Sequence, residues 1–307
     1  VNDPSDVKAL AYLLAHDTNY GKYDKKVEAG GGELIVDGRH IKILGEREPE
    51  KLPWKELNVD VVVECTGFFT KYEGAQLHLK AGAKKVVISA PSKSPEIDTI
   101  VIGANEDKLA GAGDIISNAS CTTNSIAAVM SILDEAFGIE KAMLTTVHSY
   151  TASQRLLDAS AKDFREGRNA ADNLVPTSTG AAIAVGLTVP QLAGKFDGLS
   201  IRVPTPVVSL SDVTILFKKD VTSEGVNDVL KKAAGDPYYQ GIIAVSAEPL
   251  VSRDFVGNSH SGIVDLPLTN VVGGNLAKVV VWYDNEWGYA NRLVELVADV
   301  GKLLHNQ

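Results

Sequence analysis

With only two cysteines, Cys65 and Cys121, among 307 residues, the chain has no disulfide framework and reads as the product of a reducing compartment. It lacks any apolar run near the ~18 residues of a membrane span, and no signal peptide is visible. Basic charge is also short. Lys plus Arg total 30 against 39 for Asp plus Glu, and the net −9 argues against a general nucleic-acid or membrane-surface binder. No Cys/His spacing resembles a metal site, and no internal repeat or low-complexity tract interrupts the chain. A cytoplasmic location is the default expectation. What remains is a core-forming composition, 45% hydrophobic and 22% charged, long enough for about two domains at ~150 residues each.

The sharpest chemistry lies in Ser117-Asn118-Ala119-Ser120-Cys121-Thr122-Thr123-Asn124. It follows the apolar run Asp114-Ile115-Ile116 and precedes a predicted helix, Ser125 to Phe137. Ile126, Val129, Met130, Leu133 and Phe137 form one apolar stripe on that helix, and Gly138 ends it. With Ser120 and Thr122 as candidate caps, Cys121 stands where strand becomes helix N-terminus. Unpaired amides there favour an anion, so the thiol's pKa is expected to fall toward the reactive thiolate. A buried structural cysteine is the bland alternative. The polar run offers no apolar pocket and favours a nucleophile.

Residues 1–120 alternate apolar runs with helical stretches, the pattern of a βαβ sheet. Val7 to Ala15 is predicted helical, with Val7, Leu10, Ala11 and Leu14 on one face. After the Gly30-Gly31-Gly32 turn, Glu33–Val36 and His40–Ile43 form a hairpin around Asp37-Gly38. Asp60 to Cys65 is an apolar strand ending in Thr66-Gly67, where parallel sheets bind ligands. A helix to Ala81, stopped by Gly82, precedes strands Lys85–Ser89, Thr99–Gly103 and Asp114–Ser117. From Ile139 the strands lengthen: Lys141–Tyr150, Leu199–Pro204, Val213–Lys219 and Ala277–Tyr283, with a helix near Ser223–Ala234, an α+β pattern. Thr151 to Val175 is polar and irregular, and loops of that length are usually functional or disordered. An amphipathic helix, Ala290–Leu304, closes the chain on Leu293, Val294, Val297, Val300 and Lys302–Leu304.

His148 stands at the polar end of a strand, in Thr145-Thr146-Val147-His148-Ser149-Tyr150. A lone histidine is more often a structural hydrogen-bonder. An activated cysteine elsewhere raises its standing, because a thiolate–imidazole pair needs adjacency in space and not in sequence. Arg202 is a charge amid an apolar strand, either facing solvent at an edge or forking onto an anion. Thr177-Ser178-Thr179-Gly180-Ala181-Ala182 opens a helix, and backbone amides at such N-termini bind phosphate. Together these look like two anion subsites in one catalytic domain. In Asp284-Asn285-Glu286-Trp287-Gly288-Tyr289 a capping turn accounts for Asp284 or Asn285, but not for the amide, Trp and Tyr gathered there.

Five runs, in order and in spacing, resemble the phosphorylating glyceraldehyde-3-phosphate dehydrogenases over essentially the whole chain. They are Ser-Asn-Ala-Ser-Cys-Thr-Thr-Asn, His-Ser-Tyr-Thr, Thr-Gly-Ala-Ala, Arg-Val-Pro-Thr-Pro and Trp-Tyr-Asp-Asn-Glu-Trp-Gly-Tyr. The resemblance implies an α/β protein with a Rossmann-type, doubly wound dinucleotide-binding domain at residues 1–120 and 285–307. Residues 121–284 would form an α+β catalytic domain with a mixed or antiparallel sheet. Cys121 would attack the aldehyde with His148 as general base. Hydride would pass to the nicotinamide, and inorganic phosphate would cleave the thioester to 1,3-bisphosphoglycerate. Thr151 and Arg202 would hold the substrate's phosphate, and Ser120, Thr122, Thr179 and Gly180 the attacking phosphate. Asn285 would bind the nicotinamide carboxamide and Asp3 the adenosine ribose, with Arg47, Thr66 and Ser89 lining the cofactor cleft. A homotetramer is implied, in which the loop Thr151–Val175 lines a neighbour's cofactor site; no metal is implied.

Two departures stand out. The family's first strand, glycine-rich turn and second strand lie upstream of Asn2-Asp3, so the first βαβ unit of ~30 residues is absent and the chain is expected to be part of a longer protein. Glu166, in Arg165-Glu166-Gly167-Arg168, stands where a phosphate-facing arginine is common, leaving Arg165 or Arg168 to substitute. NAD is the expected cofactor, because Asp3 favours a ribose 2′-hydroxyl over a 2′-phosphate. Small residues in Asp158-Ala159-Ser160 leave room for that phosphate, so measurable NADP use is expected beside it. The alternatives are an erythrose-4-phosphate dehydrogenase sharing these motifs, and a non-catalytic binding module lacking the first βαβ half.

Overall fold

The computed structural model describes residues 1–305. Asp6 accepts from the amides of Lys8 and Ala9 and so starts α1 (Val7–Ala15). A two-stranded ribbon follows, β1 (His16–Asp17) with β2 (Gly21–Lys22). Then β3 (Val27–Gly30), β4 (Glu33–Val36) and β5 (Arg39–Lys42) form an antiparallel meander. Asp37 and Gly38, both at positive φ, make the expected tight turn. β3 has no counterpart in the sequence-based expectation, since Val27 is its one strong strand former.

A parallel sheet carries β6 (Val61–Glu64), β7 (Lys85–Ile88), β8 (Asp98–Thr99) and β9 (Ile115–Ser117) in the order β6-β7-β9-β8. Different helices cover its two faces. α2 (Tyr72–Lys80) sets Ala75 against Val86, Ile88, Ile97 and Ile115, while Leu296 and Val300 from the carboxy-terminal helix meet Val87, Ile100 and Ile116. The sheet is therefore doubly wound. The strand predicted over Thr99–Gly103 stops at Thr99. Asn105 accepts from the Val101 amide and donates to the Thr99 carbonyl, both at 2.8 Å, so a side chain takes the groups a ladder would use.

The larger sheet is mixed. Its members are β10 (Ile139–Ser149), β11 (Val175–Ser178), β12 (Phe196–Val203), β13 (Ser209–Phe217), β14 (Ile243–Ser246), β15 (Gly262–Asp265), β16 (Asn270–Val272) and β17 (Leu276–Tyr283). They run β11-β12-β10-β13-β17-β15-β14, with β16 beside β17. One face packs on α3 (Cys121–Phe137), α4 (Ala181–Thr188) and α5 (Ser223–Ala234). There Ile126, Met130, Val185 and Leu230 meet Leu144, Val213, Ile215 and Val281 in the largest core. β13 is buried at every second residue, the period of a strand covered on one side. Four strands match the expectation, and β11, β14, β15 and β16 add to them. β11 carries Pro176, which only an edge strand tolerates well.

Between Tyr150 and Leu174 there is no helix or strand, only a bridge between Arg155 and Asn169. The chain closes with α6 (Trp287–His305), which starts earlier than its apolar period implies. Val294 is exposed, and the stripe that packs is Leu293, Leu296, Val297, Val300 and Leu304. No described helix is long and apolar enough to cross a membrane.

Candidate active site

β9 ends at Ser117, and the chain turns sharply into α3. Ala119 takes φ 55°, a left-handed backbone costing roughly 1–2 kcal/mol for a residue with a Cβ. Hydrogen bonds hold it there. Ser117 Oγ accepts from the Ala119 amide at 3.0 Å, and the Tyr289 hydroxyl donates to the Ala119 carbonyl at 3.2 Å. Asn124 Nδ2 donates to the Asn118 and Ser120 carbonyls at 2.8 and 3.0 Å. Ser120 is the N-cap, accepting from the Thr123 amide at 3.1 Å. α3 thus begins at Cys121, a turn before Ser125, because the cap and not the apolar stripe sets its start. Thr122 is no cap. It is buried, and its hydroxyl bonds the Tyr283 hydroxyl at 2.8 Å.

Parallel pairing of β10 with β12 sets His148 opposite Arg202. Cys121 Sγ lies 3.5 Å from His148 Nε2. On the ring's far side, Nδ1 is 2.8 Å from the Ser149 carbonyl and also touches Arg202 Nη1. The carbonyl can only accept and calls for a proton on Nδ1, while the guanidinium can only donate and calls for a lone pair there; where the bond to the carbonyl holds, Nε2 faces the sulfur bare. Arg202 Nη1 donates to the same carbonyl at 3.3 Å.

Electrostatics reverse one expectation. Burial pushes the Cys121 thiol up, and the Thr122 hydroxyl and the Arg202 charge do not overcome it. Burial, reinforced by Arg202, pulls His148 down to about 4 against the bond to Ser149. At neutral pH the pair is a thiol and a neutral imidazole, because desolvation outweighs the partial charge of the helix N-terminus. A bare Nε2 beside a thiol can take its proton as the sulfur attacks.

Around this pair stand groups suited to anions. Arg202 Nε and the neighbouring Ser200 Oγ are buried with no partner among the described residues. β11 pairs with β12 so that Val175 faces Arg202, and the chain then runs through Thr179 and Gly180 into α4. Thr179 Oγ1 accepts from the Ala181 amide at 3.2 Å. Thr151 turns its amide and hydroxyl to Gln154 Oε1, at 2.8 and 3.3 Å. Glu166 Oε1 accepts from Thr177 Oγ1 at 3.2 Å and from Gln154 Nε2 at 3.4 Å. Neither neighbouring arginine takes its place. Arg168 donates to Asp158 at 3.0 Å, and Arg165 is exposed. Asp158-Ala159-Ser160 braces the loop itself, with Asp158 accepting from the Asn169 amide and Ala159 donating to the Gly167 carbonyl, both at 2.9 Å.

Asn285 is held by serines that motif reading does not single out. Ser149 Oγ and Ser209 Oγ each donate to its Oδ1 at 3.0 Å, and its NH₂ finds no acceptor among the described residues. Asp284 is the helix cap, accepting from the Glu286 and Trp287 amides at 3.0 and 2.9 Å, from Tyr20 Oη at 2.8 Å and from the Gly257 amide at 2.8 Å. Tyr283 is another missed residue. It joins Thr122 to Thr146, and its ring lies edge-on to His148. Such ordinary strand residues carry no signal except their nearness to the motifs.

Asp3 donates its amide to the Leu44 carbonyl at 2.8 Å, and Arg47 lies exposed just beyond. The Ser5 amide, donating at 2.8 Å, holds the Asp3 carboxyl below its ordinary range. Thr66 and Ser89 follow the carboxyl ends of the adjacent strands β6 and β7, and Ser89 lies between Cys65 and Tyr289. The Thr66 amide donates to Glu64 Oε1 at 2.7 Å, and its hydroxyl donates to the same oxygen. Glu64 Oε2 is 3.0 Å from His78 Nε2, and Trp54 Nε1 donates to His78 Nδ1 at 3.1 Å. Burial pushes the Glu64 carboxyl up, but the bonds from His78 and Thr66 outweigh it and leave the carboxyl below its ordinary value. Nothing in the local sequence announces this chain of four side chains. No bond joins the Asp3–Arg47 region to Thr66 or Ser89 among the described residues.

Residues 1–72 match the family of the glyceraldehyde 3-phosphate dehydrogenase NAD binding domain, and residues 120–285 match that of the C-terminal domain. Glyceraldehyde-3-phosphate dehydrogenase 1 of Bacillus subtilis (strain 168) is 51% identical over 304 residues, 98% of this chain and 90% of the relative. The enzyme of Geobacillus stearothermophilus is 52% identical over 299 residues, covering 97% and 89% respectively. That of Zymomonas mobilis is 48% identical over 304 residues, covering 99% and 90%. With both family regions matched and half of all positions identical across nearly its full length, the chain belongs to the glyceraldehyde 3-phosphate dehydrogenase family.

Proposed function

We propose that the chain is an NAD-dependent, phosphorylating dehydrogenase that oxidises glyceraldehyde 3-phosphate, with inorganic phosphate, to 1,3-bisphosphoglycerate. The observation that carries this reading is Cys121 Sγ 3.5 Å from Nε2 of His148, with Arg202 against the same ring. His148 takes the thiol proton as Sγ bonds the aldehyde carbon, giving a hemithioacetal on Cys121. When bound, NAD supplies the acceptor for the hydride, and so for the two electrons, that leave this carbon. Cys121 then carries the acyl group as a thioester. A phosphate oxygen attacks that carbon, the C–S bond breaks, and the leaving sulfur regains a proton from His148.

Arg202 and Thr151 hold the substrate's phosphate in this reading. Thr179 and Gly180 receive the attacking phosphate with Ser120 and Thr122, whose hydroxyls already have partners and whose contribution is by backbone. The residues suit NAD. Asn285 offers an unpaired amide NH₂ to a carboxamide, and Asp3, Arg47, Thr66 and Ser89 offer polar groups to the rest of the cofactor. The division into residues 1–120 with 285–307, and 121–284, is supported by α6 packing back on the parallel sheet. A homotetramer is supported by Leu156, Leu157, Phe164 and Leu174, which the long loop leaves 77%, 72%, 91% and 70% exposed. Two free cysteines suit a reducing cytoplasm.

Cys121→Ser tests the reading. It is expected to abolish phosphate-dependent NAD reduction while NAD still binds. Residual turnover near the unaltered rate refutes it. Comparing kcat/KM for glyceraldehyde 3-phosphate and erythrose 4-phosphate separates the two aldehydes.

A further inference from the structure

Glu166 puts a carboxylate among groups otherwise built for anions, and the fold holds it there. The Arg155 amide donates to the Glu166 carbonyl at 3.2 Å, and the Ala170 amide returns a bond to the Arg155 carbonyl at 2.9 Å. These fix the loop that carries the side chain. The carboxylate then takes bonds from Thr177 at 3.2 Å and from buried Gln154 at 3.4 Å. Register gives its direction. Val175 faces Arg202 and Thr177 faces Ser200, so all four side chains lie on one face of the sheet, with His148 opposite Arg202 on the next strand. On that face the Arg202 Nε and Ser200 Oγ are buried and unpartnered among the described residues. Glu166 stands close enough for its charge to act on Arg202, yet makes no ion pair with it among the described residues. The loop's own arginines do not neutralise it, since Arg168 is taken by Asp158 and Arg165 is exposed.

We propose that Glu166 is a specificity-determining residue of the acyl-acceptor subsite, where its fixed carboxylate opposes the incoming phosphate and raises the KM for inorganic phosphate. This rests on the reading that Thr179 and Gly180, two and three residues beyond Thr177, receive that phosphate. A dianion brought there comes near the half-buried carboxylate that Thr177 holds, where like charges repel more strongly than in water. The consequence is selectivity by concentration: the thioester on Cys121 is discharged efficiently only where inorganic phosphate is plentiful.

Glu166→Gln isolates the charge, because a glutamine carbonyl still accepts from Thr177 and Gln154 while the negative charge is gone. With saturating aldehyde phosphate and NAD, the KM for inorganic phosphate is expected to fall about three- to tenfold. The KM for NAD is expected to stay put, that for glyceraldehyde 3-phosphate to fall less than that for phosphate, and the gap between variant and parent to narrow with added salt. Glu166→Arg is expected to lower the phosphate KM further. An unchanged or raised phosphate KM in folded Glu166→Gln protein overturns the proposal, as does an equal fall in the KM for the aldehyde phosphate. Absence of phosphate-dependent NAD reduction in the unaltered chain fails the proposed function instead, so the two failures are distinguishable.

Discussion

Cys121 and Thr66 both follow the carboxyl end of a parallel strand, yet their surroundings differ in kind. Cys121 caps into a helix of 17 residues, and its partners His148 and Arg202 stand side by side on strands of 11 and 8 residues in full register. Tyr283, Ser149 and Ser209 lock that region from behind, and all three are buried. Thr66 leaves a strand of four residues, and its amide and hydroxyl both turn back onto Glu64. Its one buried support is the chain Glu64–His78–Trp54. In the proposed mechanism, proton transfer between sulfur and imidazole tolerates little misplacement, and the ladders and packing around Cys121 leave little slack. A dinucleotide spreads its binding over many weak contacts, which strand ends and loops supply.

If that contrast is right, a change beside Cys121 strikes the chemical step, and a change in the cofactor region only shifts preference. The largest expected effect is from His148→Asn, which should slow the chemical step by ~10²–10⁴, the usual worth of a general base. Single-turnover kinetics beside NAD titration give the check. A parallel collapse of NAD affinity would break the contrast, because the two sides would then be one unit.

Next comes acid stability. The folded His148 pKa of about 4 lies below the ~6.5 of the unfolded chain. Between those values the unfolded state binds a proton that the folded state does not, so stability falls as pH falls through that window. The loss amounts to about 3 kcal/mol at 1.36 kcal/mol per pKa unit. Glu64 acts in the same sense lower down, its depressed carboxyl losing its contribution as pH drops through its folded value. Urea unfolding from pH 7 to 4 should show the decline, and His148→Asn should flatten it. An unaltered slope in that variant would mean that other groups dominate.

The smallest effect belongs to Asp3, whose carboxyl is held ionised by the Ser5 amide at a partly exposed site. Asp3→Asn should raise the NADP-to-NAD ratio of kcat/KM by a factor of about three to ten, as expected for one screened charge. A change beyond about a hundredfold would show that the cofactor region is as tightly organised as the surroundings of Cys121.

Cys121 was legible as a candidate nucleophile because its setting is local: Ser120, Cys121 and the helix behind them are consecutive, and capping is a short-range interaction. His148 and Arg202 stood out as candidates, but their adjacency did not, since two residues 54 apart become neighbours through a β10–β12 pairing that no local pattern encodes. Thr99–Gly103 failed as a strand because one side chain, Asn105, captured its backbone groups. The Cys121 thiol was misjudged for a similar reason, because the helix terminus can be read from the sequence and the burial cannot.

By itself the sequence determined the α/β class, the two kinds of sheet, the strand-to-helix position of Cys121 and the helix-forming stripes, all set by periods and caps within a few residues. Tertiary structure alone decided the meeting of His148 with Cys121 and Arg202, the raised thiol, the Glu64–His78–Trp54 chain and the bonds of Glu166 to Thr177 and Gln154. Each of these depends on desolvation and on hydrogen bonds between side chains distant in sequence. Those terms exist only once packing has removed the water and chosen the neighbours.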